Sequence, residues 1–218
     1  MAIVLGTSSG FVSVAPSSDP AGSALYADNY SNITKHVTPS TATTITEVGW
    51  YCGTNANKSP NFEVGLYDDL GDEGNAKELL EVDRTNTLSS GTGWKVVTGL
   101  NWSVTGNTNY HLGVQVDNTS GATRIDVATS GGSGYDNDSS QTTLPDPWRR
   151  WEYSHIDTNG MFAIYALWSA AATGTDFQVN IGDDWKDVSA MQINIGDVWK
   201  AVAGAQVNIG DTWKDVTI

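Results

Sequence analysis

Short apolar runs alternate with clusters of turn-forming residues along the first 170 residues of the chain. Apolar and polar positions alternate most clearly in residues 62–66 and 111–116, which is typical of antiparallel strands with one buried face. The pattern predicts strands at residues 11–15, 24–37, 43–52, 62–67, 78–84, 94–98, 110–117, 123–128 and 161–168. The segments between them, including residues 131–141, are rich in Gly, Asn, Asp and Ser and are predicted turns. We expect an all-β fold, a jelly-roll β-sandwich spanning residues 1–172.

Three copies of one 14-residue unit close the chain, after a predicted linker at residues 173–176. The copies are residues 177–190, 191–204 and 205–218, and each contains Ile-Gly-Asp, one variable residue and Trp-Lys. Repetition at a fixed period indicates one small structural unit made several times, which cannot bury its apolar face alone. We therefore expect the repeats to serve docking or oligomerisation.

Each repeat is predicted to be a β-hairpin. Its Gly-Asp pair lies between two short β-rich runs, and glycine readily adopts the backbone angles of a tight hairpin turn. A two-residue turn places Asn180 opposite Trp185 and Val179 opposite Lys186, so apolar residues fall on both faces of the hairpin. Either a β-bulge resets the alternation, or both faces are covered, the second by a partner. The second alternative predicts a homo-oligomer, and we expect a trimer.

Six repeated side chains are the candidate assembly residues: Trp185, Trp199, Trp213, Asn180, Asn194 and Asn208. Large aromatic side chains are usually buried, so the tryptophans are expected to form the core of the array. The alternative is that they form a repeated binding platform. A segment this short rarely folds without further contacts, so the array should pack on the first domain or on copies of itself.

The composition limits the classes of partner. Charged residues make up 17% of the chain, and the net charge is −14. Nucleic-acid binding requires a basic surface, so this charge argues against nucleic acid and against anionic membrane surfaces. Cys52 is the single cysteine, lies in an apolar run and is expected to be buried. We find neither a signal-peptide pattern nor an apolar run of membrane-spanning length, which favours assembly in a host cytoplasm.

The sequence gives little support for catalysis. The three histidines, His36, His111 and His155, lie in different predicted segments, and no zinc-protease motif or Cys-His pairing is present. His111 is expected to be a solvated or hydrogen-bonded strand residue. Residues 151–157 gather titratable groups, but acid–base catalysis requires a geometry that spacing alone does not establish. We expect no enzymatic activity.

An acidic loop at residues 68–74 is the one candidate for metal binding. It gathers four carboxylates beside glycine, and calcium prefers clustered carboxylate and carbonyl oxygens. The spacing does not match an EF-hand, and a solvated acidic turn is the simpler interpretation. We therefore predict that the protein binds no cofactor. The alternative is that this loop binds calcium.

Two groups of aromatic residues have the composition of a sugar-binding site. One is Trp50 with Tyr51. The other comprises Trp148, Trp151 and Tyr153, with the basic residue Arg149 between them. A sugar ring stacks on an exposed, flat aromatic side chain with polar neighbours, and the second group combines both features. The alternative is that these aromatic residues close the end of the sandwich or pack at a subunit contact.

Residues 28–55, 62–69, 93–117 and 161–168 resemble β-sandwich modules of tailed-phage and prophage-encoded proteins. Similar modules in bacterial extracellular proteins look like carbohydrate-binding jelly rolls. The tandem repeats, INIGDxWK in the second copy, resemble carboxy-terminal repeats of phage-associated proteins. The resemblance supplies no functional residues.

Together these features lead us to expect a non-enzymatic structural protein of a tailed phage or phage-like particle. It would be a capsid decoration protein or a tail appendage on the virion surface, with itself and capsid or tail proteins as partners. The alternative is a carbohydrate-binding adhesin that recognises surface glycans, which would be extracellular.

Overall fold

The computed structural model describes residues 2–54, 61–69, 78–117, 123–148 and 159–170, and the backbone of six short strands between residues 178 and 216. All regular secondary structure within these ranges is β-strand, as the sequence predicts. The chain divides into two compact units, Met1–Ser169 and Ala170–Ile218. The sequence analysis set the boundary at the linker of residues 173–176.

The first unit is built from strands of 2 to 13 residues. In the described residues they are β1 Gly10–Val12, β2 Ser23–Tyr26, β3 Tyr30–Val37, β4 Ala42–Thr54, β5 Asn61–Asp68, β6 Leu79–Thr87, β7 Gly93–Ser103, β8 Asn109–Val116, β9 Arg124–Ala128, β10 Tyr135–Ser139, β11 Met161–Phe162 and β12 Ile164–Ala170. Most contain β-branched or aromatic residues, which suit a pleated and half-buried surface.

These strands form two sheets. The first has seven strands in the order β1-β12-β4-β9-β11, with β7 paired to β4 and β2 paired to β9. The second has five strands in the order β10-β3-β8-β5-β6, and its strands are antiparallel throughout. β1 runs parallel to β12.

The hydrophobic core lies between the two sheets and joins them into a β-sandwich. Trp50 of β4 is fully buried and meets Phe62 of β5 edge to face, with ring centroids 5.8 Å apart. Tyr135 of β10 meets Phe162 of β11 in the same way at 4.9 Å. Such edge-to-face pairs add about 0.5–1.5 kcal/mol to the stabilisation from burial. Cys52 is buried in this core, as predicted.

The predicted strand at residues 24–37 is two strands in the structure. β2 belongs to the seven-stranded sheet and β3 to the five-stranded sheet. The chain turns between them at Asn29, which has a φ of 57°. Asparagine tolerates this left-handed conformation better than most residues, so Asp28-Asn29 is a turn signal that interrupts an otherwise β-favouring run.

The prediction that residues 131–141 form only turns is wrong. Within this segment, β10 pairs antiparallel with β3 along Tyr135–Ser139. β10 lies at the edge of its sheet. An edge strand pairs on one side only and tolerates polar residues, so its composition resembles that of a loop.

The second unit contains six described strands, in three antiparallel pairs. They are β13 Gln178–Ile181, β14 Asp184–Asp187, β15 Gln192–Ile195, β16 Val198–Ala201, β17 Ala205–Ile209 and β18 Thr212–Val216. β13 pairs with β14, β15 with β16, and β17 with β18. Asn180 lies opposite Trp185 and Val179 opposite Lys186, which confirms the predicted register of the first repeat.

Candidate functional site

Trp148, the first residue of the predicted sugar site, lies in a segment that crosses the outer face of the five-stranded sheet. We call residues 141–148 the strap. Its Leu144 lies over Gly65 of β5 and Gly113 of β8. The amide of Leu144 donates a hydrogen bond to Oε2 of Glu63 at 2.8 Å, and the hydroxyl of Tyr67 donates one to the carbonyl oxygen of Pro145 at 2.8 Å. The strap is therefore part of the folded body.

Trp148 packs inside this arrangement. Its indole Nε1 donates a hydrogen bond to Oδ2 of Asp136 at 3.1 Å, and its ring meets Tyr67 edge to face at 5.7 Å. Only 4% of Trp148 is exposed, so it offers no face on which a sugar could stack. This geometry favours the packing alternative for Trp148. Arg149, Trp151 and Tyr153 lie outside the described residues.

The other aromatic pair, Trp50 and Tyr51, is also buried. Trp50 faces the core between the sheets. Tyr51 faces the opposite side of β4, where its ring meets Trp94 edge to face at 5.3 Å. Neither side chain is available to a ligand in solution, so the packing interpretation holds for this pair as well.

Only the first part of the predicted calcium loop is described. The carboxylate of Asp69 forms an ion pair with the ammonium group of Lys35. Oδ1 of Asp68 accepts a hydrogen bond from the amide of Glu78 at 2.8 Å. Within the described residues, no group of three or more His, Cys, Asp or Glu side chains is arranged to hold a metal ion. Residues 70–74 of the loop lie outside the described residues.

Two of the three histidines are buried. His111 is buried, so it is not the solvated strand residue that the sequence analysis allowed. Burial, and to a lesser degree the proximity of His111, lower the pKa of His36 to about 3. Nε2 of His36 lies 3.3 Å from Oγ of Ser9, but this hydroxyl donates to the carbonyl oxygen of Phe162 at 2.6 Å. The buried Ser9–His36 contact is therefore structural. His155 lies outside the described residues.

A buried carboxyl group lies on the outer face of the seven-stranded sheet. Burial raises the pKa of Asp126 to about 6, and nearby Asp19 contributes to the rise. The amide of Gly22 donates a hydrogen bond to Oδ2 of Asp126 at 3.2 Å, which opposes the shift. Burial, and then a hydrogen bond with Asp19, raise the pKa of Tyr51 to about 12. This cluster makes stability depend on pH.

A surface groove is present that the sequence analysis did not identify. It lies between the turn joining β2 to β3 and the segment that follows β10, is open to solvent and has a volume of about 590 Å³. We call it the tyrosine groove. Its lining residues are Tyr26, Asp28, Asn29, Tyr30, Ser139, Ser140 and Thr142. This volume is within the usual range of small-molecule sites.

Backbone hydrogen bonds tie one wall of the tyrosine groove to β8 and to the segment that follows β10. The amide of Asn29 donates to the carbonyl oxygen of Val116 at 2.9 Å, and the amide of Gln141 donates to the carbonyl oxygen of Asn29 at 3.0 Å. Because both bonds are made by the main chain, the shape of the groove follows from the fold itself.

The two tyrosine rings of the groove are arranged nearly parallel. Tyr26 and Tyr30 have ring centroids 6.5 Å apart and ring planes 21° from parallel. Arg124, which lies opposite Tyr26 in the β2–β9 pair, places its guanidinium carbon 4.2 Å from the centre of the Tyr26 ring. The same guanidinium donates to the carbonyl oxygen of Ala24 at 3.3 Å. Arg124 therefore fixes the orientation of the Tyr26 ring.

Among the described residues, the structure contains no helix with the length and apolar character required to cross a membrane. Comparison of the chain with protein-family models, with curated proteins and with solved structures finds no match.

Proposed function

We propose that this chain is a non-enzymatic structural protein of a tailed phage or phage-like particle, a capsid decoration protein or a tail appendage. Its body is a jelly roll, and its carboxy-terminal unit is an array of three β-hairpin repeats that docks or oligomerises. The observation that carries this proposal is the identical register of the three strand pairs. Asn180, Asn194 and Asn208 lie opposite Trp185, Trp199 and Trp213, respectively.

The identical register gives the three strand pairs of the carboxy-terminal unit the same backbone pairing. In each pair an Asn position lies opposite a Trp position, and a Lys position lies opposite an apolar one. Equivalent strand pairs on one chain suit a partner that is itself repeated, as the subunits of a capsid or tail are.

The size of each strand pair also supports an assembly role. Each pair is a separate two-stranded sheet. An isolated two-stranded hairpin is marginally stable in water, and three or more strands or an additional packing surface are needed for independent stability. Contacts with copies of the chain would supply that surface, which is why we propose a homo-oligomer, a trimer in the simplest case.

The path of the chain through the body supports the jelly roll. From β3 to β5, successive strands alternate between the two sheets, and they do so again from β7 to β11. Jelly rolls are double-sheet antiparallel folds whose strands cross between the sheets in this way. The resemblance of residues 28–55 and 93–117 to phage-encoded β-sandwich modules points to the same fold.

Two further properties support a structural role without catalysis. The described histidines, His36 and His111, are buried, so neither can reach a substrate in solution. A net charge of −14 keeps a densely displayed protein soluble on a particle surface.

The proposal is tested on particles purified from cells that carry the gene. Mass spectrometry of the particle band from a density gradient should find this chain in a fixed ratio to the capsid or tail proteins after a high-salt wash. A variant with Trp185→Ala, Trp199→Ala and Trp213→Ala should be lost from the band while remaining soluble. A wild-type chain that stays in the soluble fraction would contradict the proposal.

A further inference from the structure

We propose that the tyrosine groove is a binding site for a neutral glycan. The starting observation is the exposure of Tyr26, which is 49% exposed. It is the only aromatic side chain among the large exposed hydrophobic residues of the described part of the chain. An exposed aromatic ring at the wall of a groove offers an apolar face to a ligand while its hydroxyl group remains in water.

The rings in the groove suit the apolar face of a sugar. A pyranose ring presents C–H groups on one face and hydroxyl groups around its edge, so its binding site requires a flat apolar surface surrounded by hydrogen-bonding groups. Tyr26 and Tyr30 provide two nearly parallel rings. The guanidinium of Arg124 holds Tyr26 in place, so little side-chain entropy remains to be lost when a ligand stacks on it.

The remaining lining residues suit the hydroxyl groups of a sugar. Ser139, Ser140 and Thr142 are exposed hydroxyl side chains, and Asn29 adds an exposed amide. Hydroxyl and amide groups can each both donate and accept hydrogen bonds, as sugar hydroxyl groups require. These side chains approach the tyrosines because the antiparallel pairing of β10 with β3 sets Ser139 opposite Tyr30.

The backbone of the groove contains an unusual conformation that favours a binding role. Ser140 has a φ of 62°, and Asn29 has a φ of 57°. Asparagine tolerates this conformation, but at Ser140 it costs roughly 1–2 kcal/mol, and such residues concentrate at functional sites, where the surrounding structure holds them. Here the bond from Gln141 to the carbonyl oxygen of Asn29 joins the two turns, so the groove is preformed.

The charge of the site indicates a neutral ligand. Among the described residues that line the groove, Asp28 is the only acidic one and none is basic. The guanidinium of Arg124 already contacts the Tyr26 ring and the Ala24 carbonyl oxygen. The net charge of −14 also disfavours anionic glycans. A neutral oligosaccharide of hexoses or N-acetylhexosamines satisfies these conditions.

The test applies the full-length isolated chain to an array of neutral hexose and N-acetylhexosamine oligosaccharides, followed by calorimetric titration of the strongest binder. We expect Tyr26→Ala and Tyr30→Ala each to weaken binding at least about tenfold. Tyr26→Phe keeps the ring and should bind within about threefold of wild type. Val96→Ala, at an exposed position on β7, which contributes no residue to the described lining of the groove, is the matched control and should bind like wild type.

A further variant, Thr142→Arg, tests the site without changing either tyrosine, so a loss of folding in the tyrosine variants cannot explain its result. Thr142 is exposed and lies outside the strands, so Thr142→Arg obstructs the groove without altering either ring, and it should abolish binding at an unchanged melting temperature. The proposal is overturned if no neutral oligosaccharide binds wild type, or if binding survives Thr142→Arg and the Tyr26→Ala/Tyr30→Ala double variant. Binding lost only with Trp151→Ala would also overturn it. Because the isolated chain is used, failure here leaves the proposed particle role untouched.

Discussion

Gly65 of β5 lies directly opposite Gly113 of β8, and the strap packs against the sheet at this point. A Cβ atom on Gly65 would lie 2.7 Å from Cδ1 of Leu144, and a Cβ atom on Gly113 would lie 3.0 Å from Cε2 of Tyr67. Real Cβ atoms are not found at the first of these distances. Gly65 therefore leaves room for Leu144 of the strap, and Gly113 leaves room for the ring of Tyr67.

We expect Gly65→Ala to lower the free energy of unfolding by about 1–3 kcal/mol, because the added methyl group overlaps Leu144. Gly113→Ala should lower the free energy of unfolding by less, because the nearest contact of its added methyl group, with Cε2 of Tyr67 at 3.0 Å, is longer. In a Leu144→Ala background, part of the cost of Gly65→Ala should disappear. Urea denaturation of the four proteins of this double-mutant cycle should give a coupling of about 0.5–3 kcal/mol. Additive effects would show that the strap does not pack on Gly65.

Asp126 is expected to make the protein less stable as the pH rises from 3.8 to about 6. Its folded pKa of about 6 exceeds the ordinary value of 3.8, so between these values the folded state binds more protons than the unfolded state. Asp126→Asn cannot ionise, and its amide oxygen can still accept the hydrogen bond from Gly22. Relative to wild type, the variant should therefore gain stability through this pH window in urea denaturation. A difference that does not vary with pH would refute this assignment.

His36 is expected to make the protein more stable as the pH rises from about 3 to 6.5. Its folded pKa of about 3 lies below the ordinary value of 6.5, so the unfolded state binds more protons between these values. Stability contributed by this group is present above pH 6.5 and lost as the pH falls towards 3, on the order of 5 kcal/mol in total. His36→Gln should lose stability less steeply on acidification than wild type. Equal slopes for the two proteins would exclude His36 as the cause.

The contributions of Asp126 and His36 oppose each other between pH 3.8 and about 6. The pH profile of wild type alone therefore cannot identify either group, and each prediction is tested by the difference between its variant and wild type. Burial also raises the pKa of Asp138, so its contribution to stability changes with pH in the same direction as that of Asp126. Asp138 is present in wild type and in both variants, so its contribution cancels in each comparison.

Local alternation of apolar and polar residues was sufficient to predict much of the fold. The predicted strands at residues 43–52 and 62–67 lie within β4 and β5, and the apolar run around Cys52 correctly indicated burial. The register of the first repeat followed from the length of its turn, because a two-residue turn fixes which residues lie opposite each other.

The features that depend on long-range pairing could not be predicted in this way. β10 is polar, and its identity as a strand depends on its pairing with β3, about a hundred residues earlier in the chain. The tyrosine groove results from that pairing, because it brings Ser139 beside Tyr30. Likewise, nothing in the local pattern around Trp148 shows that its indole group reaches Asp136.

The mass of the isolated protein in solution is the most direct test of the proposed assembly role of the repeats. Light scattering during size-exclusion chromatography at micromolar concentration should give the full chain a mass three times that of the 23.2 kDa protomer. A chain ending at Ala170, which retains the whole first unit, should have the mass of a single copy and unfold cooperatively. A full chain with a mass of 23.2 kDa, or a truncated chain that still forms the same oligomer, would contradict the account.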